Sequence, residues 1–153
     1  MAERLVDFGP LPDAVDALLQ EGVRAHRTDV GAADALFRQA LALAPDALPV
    51  HLCLYKIHAY SGRLDAALAA VEAALSEAAR QAGLDADWRL WPALPESEGA
   101  ARFALYSLKA LAFVHLRRGE ARQARAALAA LARIDPADRV GAGVVSALAE
   151  GSA

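Results

Sequence analysis

Apolar and small residues recur at helical spacing along most of this chain. In the segment ADALFRQALALAP, which begins at Ala33, the small residues Ala33 and Ala40 share a face with Phe37. A helix that maximised its own burial would carry leucine at those positions, so we expect another helix to approach this face closely. The pattern predicts a helix that packs through small side chains.

The same pattern returns twice. The segment ALAAVEAALSEAA begins at Ala67, 34 residues after Ala33, and ARAALAALARIDP begins at Ala124, 57 residues after Ala67. The helical segments in front of the second and third copies also repeat at the 57-residue displacement, in the pairs Leu54 and Leu111, His58 and His115, and Gly62 and Gly119. Because glycine commonly ends a helix, the second and third units are predicted to be helical hairpins with glycine at the turn, and LPDAVDALLQEGVRAHR supplies the first helix of the first pair.

Three hairpins and a closing helix are predicted, about seven helices in all. The closing helix, at about 137–150, would cover the last hairpin. An insertion at about 83–99 separates the second and third hairpins, and it contains both tryptophans of the chain, Trp88 and Trp91. Because burying a tryptophan removes a large apolar area from water, the insertion is predicted to fold back on the helices, with direct contact to a partner as the alternative.

These features resemble the tetratricopeptide repeat. Ala33, Phe37 and Ala40 match the A-x3-F part of that pattern with its following small residue, and Pro45 matches its closing proline. The first-helix tryptophan of the family is absent here, since His51 and Leu108 stand at its positions. The resemblance implies an all-α fold, a right-handed superhelical array of antiparallel helix pairs that spans residues 1–153 as a single domain.

Composition narrows the class of protein further. Hydrophobic residues make up 56% of the chain and aromatic residues 6%, which suits closely packed helices better than sheets. The net charge of -3 argues against a general nucleic-acid binder. The single cysteine, Cys53, excludes an internal disulfide, and each apolar run is too short for a membrane span, so we expect a cytoplasmic protein. The low lysine content is typical of GC-rich bacterial genomes, so the chain resembles a small bacterial member of the family with about three repeats.

Enzyme motifs are absent from the sequence, which contains no P-loop, dinucleotide-binding glycine pattern, paired cysteines or H-E-x-x-H. The remaining candidates lie in HLCLYKIH, but Cys53 is two residues from His51 and therefore about 200 degrees away on a helix. We predict structural histidines, no metal, no cofactor and no enzyme activity. A metal-handling protein or enzyme that uses His51, His58 and His115 is the alternative.

The family resemblance also implies a binding face, because the first helix of each pair lines a concave groove that holds peptides or partner helices. Carried over residue by residue, this face comprises Leu52, Lys56, Tyr60, Tyr106, Lys109, Phe113 and Arg117. Both lysines of the chain fall in this set, so we expect an adaptor or assembly chaperone that binds an acidic peptide segment or helix. The acidic segment PESEGAAR of the insertion is a candidate lid over this groove. A self-associating scaffold, with a homodimer contact through the last helix, is the other alternative.

Overall fold

The computed structural model describes residues 10–151, so the first nine and last two residues of the predicted domain lie outside the described part. Over the described range the chain is all-α, without a strand, which confirms the predicted all-α class and the predicted number of about seven helices. The helices are α1 (Asp13–His26), α2 (Val30–Leu43), α3 (Leu48–Tyr60), α4 (Leu64–Ala82), α5 (Gly99–Arg117), α6 (Ala121–Ile134) and α7 (Gly143–Gly151), with a 3-10 helix at Trp88–Leu90.

The described residues form two compact units, unit 1 (residues 10–70) and unit 2 (residues 71–151), and the boundary falls within α4. In unit 1, α1 and α2 form a hairpin and α3 contacts both of its helices. In unit 2, α5 and α6 form a hairpin and α7 contacts both. The same pattern of contacts among three helices therefore occurs twice, while the predicted single superhelical domain stays a prediction.

The core of unit 1 is built on the small residues that the sequence pattern singles out. Ala33, Phe37 and Ala40 of α2 are all buried. The Phe37 ring lies against Gly22 of α1, where an added Cβ would be only 2.3 Å from a ring carbon. Small residues on α1 and α2 therefore allow the two helices to approach, and the phenylalanine fills the space between them.

Glycine ends the first helix of the second and third predicted hairpins. Gly62 and Gly119 have φ angles of 73° and 80°, in the left-handed region that only glycine adopts at little cost. At the first turn the N–H of Arg63 donates to the carbonyl oxygen of His58 at 2.9 Å, and the corresponding bond at the second turn is 2.8 Å. These are the backbone bonds of a Schellman C-cap, so the predicted glycine turns are confirmed.

The insertion packs on the end of α6 within unit 2. Trp91 is only 1% exposed, and its indole N–H donates to the carbonyl oxygen of Asp85 at 2.7 Å. The N–H of Leu94 donates to the carbonyl oxygen of Ile134 at 2.7 Å, and the Arg133 guanidinium donates to the carbonyl oxygen of Trp91. The insertion is therefore a packed loop, and burial of the Trp91 ring anchors it.

The last helix begins at Gly143, six residues later than the predicted start. The buried carboxylate of Asp135 accepts the N–H groups of Arg139 and Val140, both at 3.1 Å, and so holds a loop at this point. Asp138 caps α7 by accepting the N–H of Gly143 at 3.2 Å. The helical spacing of the sequence continues through this segment, but the two carboxylates bind its N–H groups and so compete with helix formation.

Candidate functional site

The predicted binding residues of unit 1 lie along one face of α3. Lys56 and Tyr60 are four residues apart, so their side chains point in similar directions, and both are exposed. Tyr60 is 74% exposed, an unusual position for a large ring. Leu52, one turn before Lys56, is half-buried. The α3 helix therefore presents a cation and an aromatic ring side by side.

A second such combination lies on α5, in unit 2. Arg117 is exposed, and its guanidinium carbon lies 5.7 Å from the ring centroid of the half-buried Phe113. These two positions are the 57-residue equivalents of Lys56 and Tyr60, with the cation and the ring in opposite order. We call the two sets the cation–aromatic pairs. Each pair offers positive charge for a carboxylate and a ring face for an apolar group.

The N-terminal half of the predicted α5 face is already engaged by the chain itself. Lys109 is half-buried, and its ammonium group donates to the carbonyl oxygen of Val140 at 2.8 Å. Arg102, which the sequence reading missed, donates to the carbonyl oxygen of Arg139 at 3.3 Å and lies 5.5 Å from the ring centroid of Tyr106. Its position four residues before Tyr106 is the signal that could have identified it.

The acidic end of the insertion is held by an arginine from the loop after α6. The Arg139 guanidinium donates to the carbonyl oxygens of Pro95 and Ser97, at 3.2 and 3.4 Å. The backbone that reaches Lys109 in the described structure belongs to this same loop, at Val140. The segment PESEGAAR, the candidate lid, is therefore bound to the loop that follows α6. These bonds use the backbone carbonyl groups of Pro95 and Ser97, and not the glutamate carboxylates of the segment.

Trp88, the other tryptophan proposed for partner contact, differs from Trp91 in its exposure. Its ring is half-buried and lies beneath the Arg89 guanidinium, 4.3 Å from the ring centroid. The neighbouring Leu90 is exposed. Trp91 anchors the insertion, whereas Trp88 and Leu90 form its outer surface.

Two of the candidate histidines lie in α3, and each has a polar partner outside that helix. His51 Nε2 donates to the carbonyl oxygen of Pro45 at 3.0 Å. His58 Nε2 lies 3.3 Å from a carboxylate oxygen of Asp34, and the ring is buried. Burial lowers the pKa of His58, and the carboxylate of Asp34 only partly offsets this effect. A buried ring that stays neutral in this way packs in the core, and its contact with Asp34 links α3 to α2.

The third candidate, His115, binds the turn that follows α5. Its Nδ1 donates to a carboxylate oxygen of Glu120 at 3.0 Å, and Arg118 donates to the same oxygen at 2.7 Å. Hydrogen bonds from Arg118 and His115 lower the pKa of Glu120. Among residues 10–151, no group of three or more histidine, cysteine, aspartate or glutamate side chains is arranged to hold a metal ion.

The cysteine is unsuited to nucleophilic chemistry. Burial raises the pKa of the Cys53 thiol to about 12, although the positive charge of Lys56 acts in the opposite direction. Since the thiolate is the reactive form of cysteine, the side chain acts as a small apolar filler of the unit 1 core.

Comparison with protein-family models, curated proteins and solved structures gives no match to this chain. The resemblance to the tetratricopeptide repeat therefore depends on the residues quoted above. None of the helices within residues 10–151 combines the length and the apolar character needed to cross a membrane. The class that the fold itself defines is an all-α protein built from helical hairpins.

Proposed function

We propose that this chain is a non-enzymatic protein–protein interaction module, an adaptor or assembly chaperone of the tetratricopeptide type. In this proposal the hairpins stack into a right-handed superhelical array, and the first helix of each hairpin lines a concave groove. The groove holds a peptide segment or helix of another protein. Two observations support the proposal: small residues recur at buried positions of the helices, and two equivalent helices end at a left-handed glycine. A cytoplasmic location belongs to the same proposal, and the unpaired Cys53 suits it.

The cation–aromatic pairs carry this proposal. An exposed ring such as Tyr60 contributes little to its own hairpin, yet aromatic residues and arginine supply much of the binding energy at protein interfaces. The cations Lys56 and Arg117 select carboxylates, and the rings of Tyr60 and Phe113 select apolar side chains. The expected partner is therefore an acidic segment that also carries apolar anchors.

A charge-reversal experiment tests the proposal. A partner is first identified by pull-down from the source organism, and its affinity is then measured for wild type and for the double variant Lys56→Glu with Arg117→Glu. We expect the double variant to bind about ten-fold or more weakly at low salt, because it places like charges opposite the partner. Wild-type binding should weaken but persist at high salt, since salt screens charges over about 8–10 Å and leaves apolar contacts intact.

The matched control changes the net charge equally at another surface. Arg122 and Arg125 are exposed on α6, so the variant Arg122→Glu with Arg125→Glu carries the same added negative charge away from the pairs. We expect its affinity to stay within about two-fold of wild type, since exposed charges distant from an interface contribute little. Equal affinities for wild type and the first variant at low salt would contradict the proposal.

A self-associating scaffold is the second candidate function. The apolar residues Val144 and Leu148 of α7 are 68% and 49% exposed and lie one helical turn apart. Exposed apolar patches often mark protein interfaces. Light scattering across a protein concentration series separates the two candidates, because only the scaffold predicts an oligomer that Leu148→Glu dissociates.

A further inference from the structure

A short segment between α6 and α7 lies on the N-terminal half of the α5 face. We call residues 139–142 the strap. Its first two carbonyl oxygens accept hydrogen bonds from α5, with Arg102 as donor to the oxygen of Arg139 at 3.3 Å and Lys109 as donor to the oxygen of Val140 at 2.8 Å. Two cations of α5 thus hold consecutive carbonyl groups of a backbone turn, which the hydrogen bond from the N–H of Gly141 to the carbonyl oxygen of Asp138 closes at 3.1 Å.

The strap is held from its other side as well. The buried carboxylate of Asp135 accepts the N–H groups of Arg139 and Val140, and the Arg139 guanidinium reaches the carbonyl oxygens of Pro95 and Ser97. Arg139 therefore joins the insertion, α5 and the loop after α6. Its side chain contributes only the contacts to the insertion, so removing that side chain loosens the strap without deleting a residue of α5.

We propose that the strap is an autoinhibitory contact. The strap occupies Lys109 and also Arg102, which lies beside Tyr106. A partner must displace the strap to use this half of the face. The inference rests on the proposed function, since it assumes that the α5 face receives an acidic segment. While the strap is in place, binding on unit 2 is confined to the free pair, Phe113 and Arg117.

The chemistry of the two acceptors explains why displacement is favourable. The carbonyl oxygen of Val140 is neutral, whereas a partner carboxylate carries a full negative charge, so it adds Coulomb attraction to the hydrogen bond from the ammonium group. The released carbonyl group can bond to water. An acidic segment therefore competes effectively for the ammonium group of Lys109, while a neutral peptide does not.

Lysine labelling measures the strap in the full chain without any partner. The chain has only two lysines, and Lys56 is exposed, so it serves as the internal reference. Under limiting acetic anhydride, with mass spectrometry of the digested peptides, we expect Lys109 of wild type to react about ten-fold more slowly than Lys56, the factor typical of one hydrogen bond to a charged group. Comparable rates for the two lysines would overturn the proposal.

One variant and one control test whether the strap causes this protection. Arg139→Ala removes the bonds to the insertion, so it should speed the reaction of Lys109 about five-fold and leave Lys56 unchanged. Arg133→Ala is the matched control, because this arginine also binds insertion carbonyl groups but does not touch the strap. An unchanged Lys109 rate in Arg139→Ala, or an equal rise in the control, overturns the proposal.

Binding of a defined probe then separates this inference from the proposed function. The probe is a fluorescent synthetic peptide that alternates glutamate and leucine, titrated into wild type, Arg139→Ala and Arg133→Ala. We expect about five-fold tighter binding to Arg139→Ala alone. Faster labelling with unchanged affinity refutes autoinhibition and leaves the proposed function in place. If labelling shows that the strap loosens but the probe binds none of the three proteins, the result contradicts both the autoinhibition and the proposed function.

Discussion

Replacing Gly22 by alanine is the sharpest test of how the helices of unit 1 pack. Gly22 lies in α1 directly beneath the ring of Phe37, which is 1% exposed. An added Cβ would be 2.3 Å from the Cε1 atom of the ring, 2.7 Å from Cδ1 and 2.8 Å from Cζ. The buried ring cannot swing into solvent, so either the ring or the helix must move.

The geometry sets the size of the effect. Carbon atoms in ordinary contact are about 3.5–4.0 Å apart, so the nearest ring atom must retreat by roughly 1.2 Å. Overpacking of a core costs about 1–3 kcal/mol, and the upper end applies here because three ring atoms are too close. Alanine recovers about 1 kcal/mol of helix propensity relative to glycine. We therefore expect Gly22→Ala to lower the free energy of unfolding by about 2 kcal/mol.

Urea unfolding followed by circular dichroism measures this loss, and amide hydrogen exchange of α1 and α2 assigns it to unit 1. Gly31→Ala is the matched control, since Gly31 is also helical but exposed, with its nearest neighbour 3.4 Å from the added Cβ. The control should be neutral or more stable by up to about 1 kcal/mol. The difference between the two variants isolates the clash from helix propensity.

A second substitution tests whether the Phe37 ring is the cause. Leucine at position 37 is smaller, so the variant with both Gly22→Ala and Phe37→Leu should be more stable than the sum of the single effects by about 1–2 kcal/mol. Wild-type stability for Gly22→Ala, or strict additivity of the two substitutions, would refute the close approach of α1 and α2 at this point.

Three further predictions follow from single buried side chains. Ala67→Leu should cost about 1–3 kcal/mol by overpacking, whereas Ala69→Leu on the exposed face of α4 should be near neutral, and urea unfolding of both variants checks the difference. Because burial lowers the pKa of His58, the unfolded chain binds the proton first, and stability should fall as the pH drops below about 6.5. Unfolding at pH 7.5 and 5.5 should show a smaller loss for His58→Gln, and equal losses would contradict this assignment. Burial raises the pKa of the Cys53 thiol to about 12, so the folded protein should react with a disulfide reagent at pH 8 far more slowly than the unfolded chain does. Equal reaction rates for the folded and unfolded chain would show that the thiol is not buried.

Much of the fold could be predicted because its signals are local. The glycine turns at Gly62 and Gly119 follow from a backbone conformation that favours glycine, and the buried face of α2 follows from the spacing of Ala33, Phe37 and Ala40. Helical periodicity is a property of neighbouring residues, so it is visible without knowledge of the partner helix. The position of Gly22 beneath Phe37 could not be predicted, since it depends on the register between two helices.

The candidate site was only partly predictable for the same reason. Lys56 and Tyr60 lie exposed on one face of α3, as their spacing indicates. Lys109 has the same sequence signal as Lys56, a cation on the predicted binding face of its helix, but in the structure its ammonium group binds the chain's own backbone. Sequence spacing places a side chain on a face of its helix, and it does not show which distant segment covers that face.

The amino-acid sequence by itself determined the all-α class, the α1–α2 and α5–α6 hairpins and the glycine turns at Gly62 and Gly119, because spacing, helix propensity and left-handed glycine conformations act between near neighbours. Only the tertiary structure decided that Trp91 rather than Trp88 anchors the insertion and that α7 begins at Gly143. It also decided that Lys109 holds the strap. Each of these outcomes depends on hydrogen bonds or apolar contacts between segments far apart in the chain, and such contacts form only where the packed helices bring those segments together.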